Sequence, residues 1–155
     1  LLFSSEEDIT KMVLRLEEIE GVDAVEVGLP VDITPAQAAS ACSAAVGELP
    51  VIIRLPLSQA ANLAQSCMQA GAQIISLGPD RGEQPNAQGE IISGRLYGPS
   101  QYPKALQTVK QIAELGVPVI GAGGVYTQPE ANKILAAGAS AVQLDTVLWR
   151  SGLPE

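Results

Sequence analysis

The stretch VPVIGAGGVYT, residues 117–127, combines an apolar strand, a glycine cluster and the start of a helix. Thr127, with a proline two positions later, is typical of a first helical turn. Main-chain N–H groups of Gly121, Gly123 and Gly124 can approach an anion without side-chain obstruction, and the helix dipole adds a favourable field. The pattern predicts a phosphate-binding turn, although a tight turn that needs a positive φ would favour the same glycines.

The same order of strand, turn and helix repeats along the chain. Apolar residues recur at helical spacing from Ile9 to Ile19, whereas residues 49–55, LPVIIRL, form the near-continuous apolar run of a strand buried on both faces. The predicted strands are 23–29, 49–55, 72–78, 117–122 and 140–144, and the predicted helices are 9–19, 34–46, 58–70, 102–115, 128–137 and 146–150. Residues 79–96 lack helical periodicity and predict a long excursion with a small hairpin over one end of the sheet.

Alternating strands and helices imply parallel strands joined by right-handed crossovers, and hence an α/β fold. Three similar segments that each follow a helix are typical of an eightfold barrel: GVDAVEVG, AGAQIISLG and AGASAVQLD. A closed barrel needs about 250 residues. The 155-residue chain therefore predicts a single domain over 1–155, a partial TIM barrel of parallel (β/α) units with about five to six strands. A doubly wound open sheet is the alternative, and the lack of a dinucleotide signature in the first strand-helix turn favours the barrel.

The open edges of a partial barrel need cover, which predicts either a missing N-terminal segment or a homo-oligomer. The formal charge of −8 and the 46% hydrophobic content predict a folded chain that repels nucleic acid. Apolar runs stay below the roughly 18 residues of a membrane span, and the start LLFSSEED lacks the basic region of a signal peptide. We therefore expect a cytoplasmic protein without membrane or nucleic-acid partners, whose expected ligand is a small-molecule substrate.

Histidine is absent, and Cys42 and Cys67 lack Cys-x-x-Cys spacing. This composition argues against a metal centre and against a Cys-His nucleophile pair. Both cysteines fall in helical stretches rich in alanine and glutamine, which predicts buried, inert thiols. Any acid-base step would fall to a carboxylate, Lys, Tyr, Ser or Cys side chain, and the sequence leaves the catalytic residue unknown.

The segment ISGRLYGPSQYPKALQTVKQIAELGVPVIGAGGVYTQPEANKILAAGASAVQLDT resembles the C-terminal part of the dihydroorotate dehydrogenases. These are FMN-containing barrels of pyrimidine biosynthesis that oxidise dihydroorotate to orotate. The most specific feature is the G-x-L-x-G-x-x-x-x-P-x-A-L run from Gly94 to Leu106. The resemblance implies that main-chain N–H groups at four positions hold the FMN phosphate: Gly98, Gly123, Gly124 and Thr146. It also implies that Arg54 stands where the family has a lysine near the flavin ring.

Three departures from the family pattern concern the substrate and the phosphate. Where the fourth strand of the family ends in an E-L-N-x-S-C-P-N-like run, this chain has Gly28-Leu29-Pro30-Val31, and Gly78-Pro79-Asp80 replaces I-N-T. The substrate asparagines and the cysteine base of one family class are thus absent. At the predicted phosphate site, Asp145 stands where the family usually has glycine. Its carboxylate would repel a phosphate by about 1 kcal/mol, and it can instead cap the last helix.

These departures leave three functions open. The first is an FMN-dependent oxidoreductase of the dihydroorotate dehydrogenase type, with absent or weak orotate chemistry. The second is a degenerate, non-catalytic family member that acts as a binding or interaction module. The third is another phosphate-binding barrel enzyme, since a fold does not determine a function. Arg54 either stabilises an electron-rich flavin as a fixed charge or pairs with a neighbouring acid.

Overall fold

The computed structural model describes residues 5–149. Five parallel strands form one sheet: β1 (Val25–Gly28), β2 (Val51–Pro56), β3 (Ile74–Gly78), β6 (Val119–Ala122) and β7 (Ala141–Gln143). A separate antiparallel hairpin lies between β3 and β6 in the chain: β4 (Arg81–Pro85) and β5 (Ile91–Arg95). The helices are α1 (Glu6–Glu17), α2 (Pro35–Ala45), α3 (Ala60–Gln69), α4 (Tyr102–Glu114) and α5 (Gln128–Ala136), with short 3₁₀ helices at Pro99–Gln101 and Thr146–Trp149. The hairpin predicted within 79–96 is thus confirmed.

The order of strands in the sheet decides between the two predicted architectures. The order is β1-β2-β3-β6-β7, so each parallel strand lies beside the next one along the chain. A doubly wound sheet reverses its order at a switch point, and this sheet does not. The helices pack against each other in the same sequence, α1 on α2, α2 on α3, α3 on α4 and α4 on α5. The fold is therefore a partial (β/α) barrel, as predicted, and the doubly wound alternative is wrong.

The hydrophobic core lies between the helices and the outer face of the sheet. On β2, Val51, Ile53 and Leu55 are fully buried against the helices, while Ile52 and Arg54 alternate with them and are half-buried on the other face. This second face would be the interior of a closed barrel, and we call it the concave face. Because successive side chains of a strand point to opposite faces of the sheet, Glu26 of β1 and Ser76 of β3 also lie on the concave face.

Local sequence signals define the helix starts well. Thr34 and Thr127 cap α2 and α5, and each belongs to a complete capping box with a proline in the first helical turn. Cys42 and Cys67 are free and fully buried, in agreement with the prediction of buried thiols. The short helix predicted over 146–150 is a 3₁₀ helix up to Trp149, and Arg150 lies outside the described residues.

Among residues 5–149, β1 and β7 are the edges of the five-stranded sheet, each hydrogen-bonded to one neighbouring strand. A helix long and apolar enough to cross a membrane was not found among these residues. The loops that follow the strands all lie at the carboxyl edge of the sheet, because the strands are parallel. In barrels this edge carries the functional residues.

Candidate functional site

Two adjoining cavities lie at the carboxyl edge of the sheet. The first, which we call the glycine cavity, has a volume of about 50 Å³. Six of the seven residues predicted from the sequence line it: Arg54, Gly98, Gly123, Gly124, Asp145 and Thr146. The second, which we call the arginine cavity, has a volume of about 240 Å³ and is lined by Arg54, Arg81 and Arg95 together with mainly apolar side chains. The structure therefore brings together residues that are up to 92 positions apart, since Arg54 and Thr146 line one cavity (146 − 54).

Glycines at the glycine cavity adopt backbone conformations that other residues avoid. The φ angles are +119° at Gly98, +115° at Gly123 and +70° at Gly124. A Cβ atom on Gly124 would lie 2.6 Å from the main-chain N of Tyr102 and 2.7 Å from the carbonyl O of Gly98. The loop after β6 thus packs directly on the start of α4. A Cβ atom on Gly98 would meet nothing within 4 Å, so this glycine borders open space.

The residues that follow β7 also lie next to the loop after β6. The hydroxyl groups of Tyr126 and Thr146 lie 2.6 Å apart, which joins the loop before α5 to the residues that follow β7. The three chain segments that resemble the family's phosphate site are therefore neighbours in space.

The N-terminus of α5 is already bound by a carboxylate of its own helix. Glu130 accepts hydrogen bonds from the main-chain N–H groups of Tyr126, at 2.8 Å, and Thr127, at 2.9 Å. The hydrogen bond from Tyr126 is the main reason that the pKa of Glu130 is lowered. Within residues 5–149, the N–H groups of Gly123 and Gly124 donate to no other main-chain group. An anion would therefore bind at the glycine loop rather than at the first turn of α5.

Gly121, the seventh predicted site residue, lies on the opposite face of β6. A Cβ atom there would collide with Cγ2 of Ile134 and would lie 3.2 Å from Cγ2 of Val109. The absence of a side chain lets α4 and α5 pack closely on the strand. Strand alternation explains this position, because residues 119 and 121 face the helices while residues 120 and 122 face the barrel interior.

Arg54 lies across the ends of three strands. Its Nη1 is 3.4 Å from Oε1 of Glu26, whose Oε2 accepts a hydrogen bond of 2.8 Å from the hydroxyl of Ser76. A Cβ atom on Gly28 would lie 2.9 Å from Nη2 of Arg54, and one on Gly78 would lie 3.1 Å from its Cγ. The two glycines therefore form the channel that holds the arginine side chain. Arg54 both pairs with an acid and borders the two cavities.

Glu26 and Ser76 were not singled out from the sequence as site residues. Each of them alternates along its strand with buried apolar residues that face the helices. Its polar side chain therefore lies on the concave face. The contact between them also requires the strand register, which pairs Arg54 with Gly28 on one side and with Ser76 on the other.

Asp145 lines the glycine cavity between β7 and the last 3₁₀ helix. Its carbonyl oxygen accepts the hydrogen bond that starts this helix, from the N–H of Leu148 at 3.0 Å. This contact is a main-chain one, so the structure gives no support to the expectation that the Asp145 side chain caps the helix. The carboxylate contributes negative charge to a cavity whose other lining groups suit an anion.

Asp80 anchors the base of the hairpin next to the arginine cavity. Its Oδ1 accepts hydrogen bonds from the N–H and the hydroxyl of Ser58, at 2.8 and 2.7 Å, and its Oδ2 binds Nζ of Lys104. Burial opposes ionisation, but the hydrogen bonds from Lys104 and Ser58 outweigh it and lower the pKa of Asp80. The network connects the residues after β2, after β3 and at the start of α4. Sequence reasoning missed it, since the partners are 22 and 24 positions away.

The fold and the cavities define a protein built as a partial (β/α) barrel, with glycine-rich loops and arginine side chains that line two cavities at the carboxyl ends of its strands. The sequence model of the family described as Dihydroorotate dehydrogenase matches residues 81–154. The dihydroorotate dehydrogenase B (NAD(+)) catalytic subunit of Pelobacter propionicus is 32% identical over 166 residues, covering 92% of this chain and 54% of the relative. That of Pyrococcus furiosus is 43% identical over 60 residues, covering 38% of this chain and 20% of the relative.

The crystal structure of DHODH from Eimeria tenella, in complex with ferulenol, has a similar fold, with a TM-score of 0.74 at 16% sequence identity. The similarity covers 95% of this chain and 50% of that one. The chain belongs to the dihydroorotate dehydrogenase family. It spans about half the length of the curated relatives with which it aligns over most of its own length.

Proposed function

We propose that this chain is part of an FMN-dependent, cytoplasmic oxidoreductase of the dihydroorotate dehydrogenase type that acts on a small-molecule substrate. The proposal depends on one observation above all: the glycine loops that resemble the family's phosphate site line a single cavity. FMN, when bound, would supply the hydride acceptor. The residues of this chain would hold and orient it.

The lining groups fit a phosphate in most respects. N–H groups of Gly123 and Gly124 point to no other main-chain group within the described residues, and the open side of Gly98 leaves room for an anion. A volume of about 50 Å³ is far below the ~300–1,000 Å³ of a pocket for a whole drug-sized ligand. The glycine cavity would therefore take the phosphate end of the cofactor and not its ring.

Arg54 would act on the ring end of the cofactor. It borders both cavities, together with Gly78 and Pro79. A guanidinium keeps its charge at any physiological pH, so it stabilises an electron-rich neighbour but transfers no proton. Its role in the proposed function is electrostatic.

Asp145 is the group that fits a phosphate least. A carboxylate next to a phosphate costs about 1 kcal/mol per charge pair even when both are solvated. We expect Asp145→Asn to tighten FMN binding about fivefold for this reason, as measured by flavin fluorescence during titration. Asp23→Asn is the matched control, because Asp23 is exposed at the amino end of β1, and it should leave the affinity unchanged.

Uptake of FMN is the test of the proposal as a whole. A purified protein that remains colourless and takes up no added FMN would contradict it. Binding of FMN with a characteristic flavin absorption spectrum would support it, and the effect of Asp145→Asn would then assign the binding to the glycine cavity.

The end of β1 favours a second candidate function, that of a non-catalytic binding module. Residues 28–31 contribute a glycine and apolar side chains to the arginine cavity, where the family pattern has substrate-holding amides. Loss of such polar contacts reduces turnover by orders of magnitude. Measurable oxidation of dihydroorotate by this chain would exclude the binding-module function.

We also propose that the edges at β1 and β7 are covered by further barrel strands or by a second copy of the chain. The mass of the full-length protein from its native source distinguishes the two. A mass close to the 16.1 kDa of this chain favours the second copy, and a mass near twice that value favours further strands of one polypeptide.

A further inference from the structure

The arginine cavity concentrates positive charge in an acidic protein. The chain has 9 basic and 17 acidic residues. Three of the nine basic side chains, Arg54, Arg81 and Arg95, line this one cavity, and among residues 5–149 no Asp or Glu lines it. The charged side chains that line the cavity therefore have the opposite sign to the net charge of −8.

Arg81 and Arg95 occupy an unfavourable arrangement in the hairpin. They are directly opposite each other in the antiparallel β4–β5 ladder. Like charges at such positions destabilise a sheet. The Arg81 guanidinium lies 3.4 Å from the neutral hydroxyl of Ser93, and within residues 5–149 no carboxylate lies within 4 Å of either arginine. An anion between the two guanidiniums would remove the repulsion.

The charge in the cavity amounts to about two uncompensated positive units. Arg54 has an acidic partner in Glu26, at 3.4 Å. Counting three guanidiniums against this one carboxylate leaves 3 − 1 = +2. Because a ligand of charge −2 would neutralise this field, the count favours a dianion over a monoanion or a neutral molecule.

Apart from the three arginines, no described side chain that lines the arginine cavity carries a hydrogen-bond donor. Three prolines line it: Pro30 and Pro79 follow β1 and β3, and Pro56 is the last residue of β2. Proline has no N–H group to donate. Leu29 and Val31 add apolar surface. Guanidinium groups present their donors in a planar fork that matches the oxygens of a carboxylate or a phosphate.

We propose that the arginine cavity binds a small organic dianion, a dicarboxylate or a phosphate monoester, and that Arg81 and Arg95 determine this specificity. The volume of about 240 Å³ lies below the ~300–1,000 Å³ of pockets for drug-sized ligands, which suits a compact molecule. As an assignment of the substrate class the inference rests on the proposed function. Binding of the dianion itself requires no flavin.

Calorimetric titration at low salt tests this specificity with three probes: succinate, glycerol 3-phosphate and butyrate. Succinate and butyrate have the same number of carbons and differ by one carboxylate. We expect at least one dianion to bind about tenfold tighter than butyrate, and the tighter of the two identifies the chemistry as dicarboxylate or phosphate. Equal affinity for all three probes would overturn the inference.

Substitutions then assign the binding to the hairpin. Arg81→Gln and Arg95→Gln should each weaken binding of the preferred dianion about tenfold and leave butyrate binding less affected. Arg15→Gln on the exposed face of α1 makes the same chemical change away from the cavity and should bind as the unmodified protein does. Wild-type affinity in both hairpin variants would overturn the assignment. Circular dichroism confirms that each variant is folded.

An FMN titration of the same samples separates this inference from the proposed function. Dianion binding without FMN binding contradicts the proposed oxidoreductase and keeps the cavity assignment. FMN binding without preference for a dianion contradicts the cavity assignment and keeps the oxidoreductase.

Discussion

The glycine cavity and the arginine cavity adjoin, but the groups that would bind an anion in them differ in kind. The first uses main-chain N–H groups in loops whose φ angles exclude most side chains. The second uses full charges at the ends of long side chains, two of them on an exposed hairpin. Recognition by main-chain N–H groups depends on the backbone conformation of the loops, so a substitution in these loops also alters the stability of the fold. Recognition by arginine side chains can change by substitution while the fold stays the same.

Gly124→Ala should have the largest effect, because it tests how closely the glycine cavity depends on the fold. The added Cβ would approach main-chain atoms of Tyr102 and Gly98 to 2.6 and 2.7 Å at a φ of +70°. Backbone strain and overpacking together predict a loss of roughly 3 kcal/mol in the free energy of unfolding. Urea denaturation measures it.

Gly89→Ala provides the control for this substitution. Gly89 also has a positive φ, +81°, but a Cβ atom there would meet nothing within 4 Å. Only the backbone strain remains, about 1 kcal/mol. Equal losses in the two variants would show that the close approach of the loop to α4 contributes nothing.

Asp80→Asn should separate the two cavities, since Asp80 supports the base of the hairpin. Loss of its charged hydrogen bonds predicts a decrease of about 2 kcal/mol in the free energy of unfolding. Dianion binding should weaken with it, while FMN binding should remain. Unchanged dianion affinity in a folded Asp80→Asn protein would show that the network does not position the arginines.

The same carboxylate predicts a pH dependence. The pKa of Asp80 in the folded protein lies below its ordinary value of 3.8. The carboxylate therefore stabilises the fold fully above that value, and this contribution is lost as the pH falls through the lowered pKa. Asp80→Asn should show a smaller decrease in stability than the unmodified protein when urea denaturation is repeated at pH values from neutral to below 3.8.

Gly28→Ala should disturb the residue that the cavities share. The new Cβ would lie 2.9 Å from Nη2 of Arg54, the flexible end of a side chain, which can move away. We expect a loss in stability of less than about 1 kcal/mol and a change of severalfold in affinity for the dianion, measured by calorimetry. A variant with unchanged ligand affinity would mean that the position of Arg54 is unimportant for binding.

Arg81→Gln should have the smallest effect on stability, and in the opposite direction. Removing one of two like charges from a cross-strand pair predicts a gain of about 0.5 kcal/mol without ligand. Salt screens the repulsion between exposed charges, so the gain should vanish at high ionic strength. A loss of stability at low salt would show that Arg81 and Arg95 do not repel each other.

The fold was predictable from the sequence because its signals are local. Periodicity located the helices and strands, Thr34 and Thr127 marked two helix starts, and the aperiodic residues 79–96 contained the hairpin. The candidate site was predictable where it consists of glycines at strand ends. Gly121 shows the limit: the GAGG pattern groups three glycines, but strand alternation directs the first of them to the helices.

Contacts that depend on strand register or on distant loops were not predictable in the same way. The pairing of Arg54 with Glu26 requires that β1 and β2 adjoin in a particular register. The binding of Asp80 by Lys104 requires that α4 starts next to the base of the hairpin. Neither distance is encoded in a local pattern, since each contact joins residues that lie on different (β/α) units.

Arg54 borders both cavities with a single guanidinium group. A ligand in either cavity that changes the orientation of this group also changes the potential in the other. Thermodynamic reciprocity then makes the effect mutual, so that each ligand alters the affinity of the other by the same factor. Ligands at the two cavities would then bind cooperatively, and the direction in which the guanidinium turns would set the sign of the coupling.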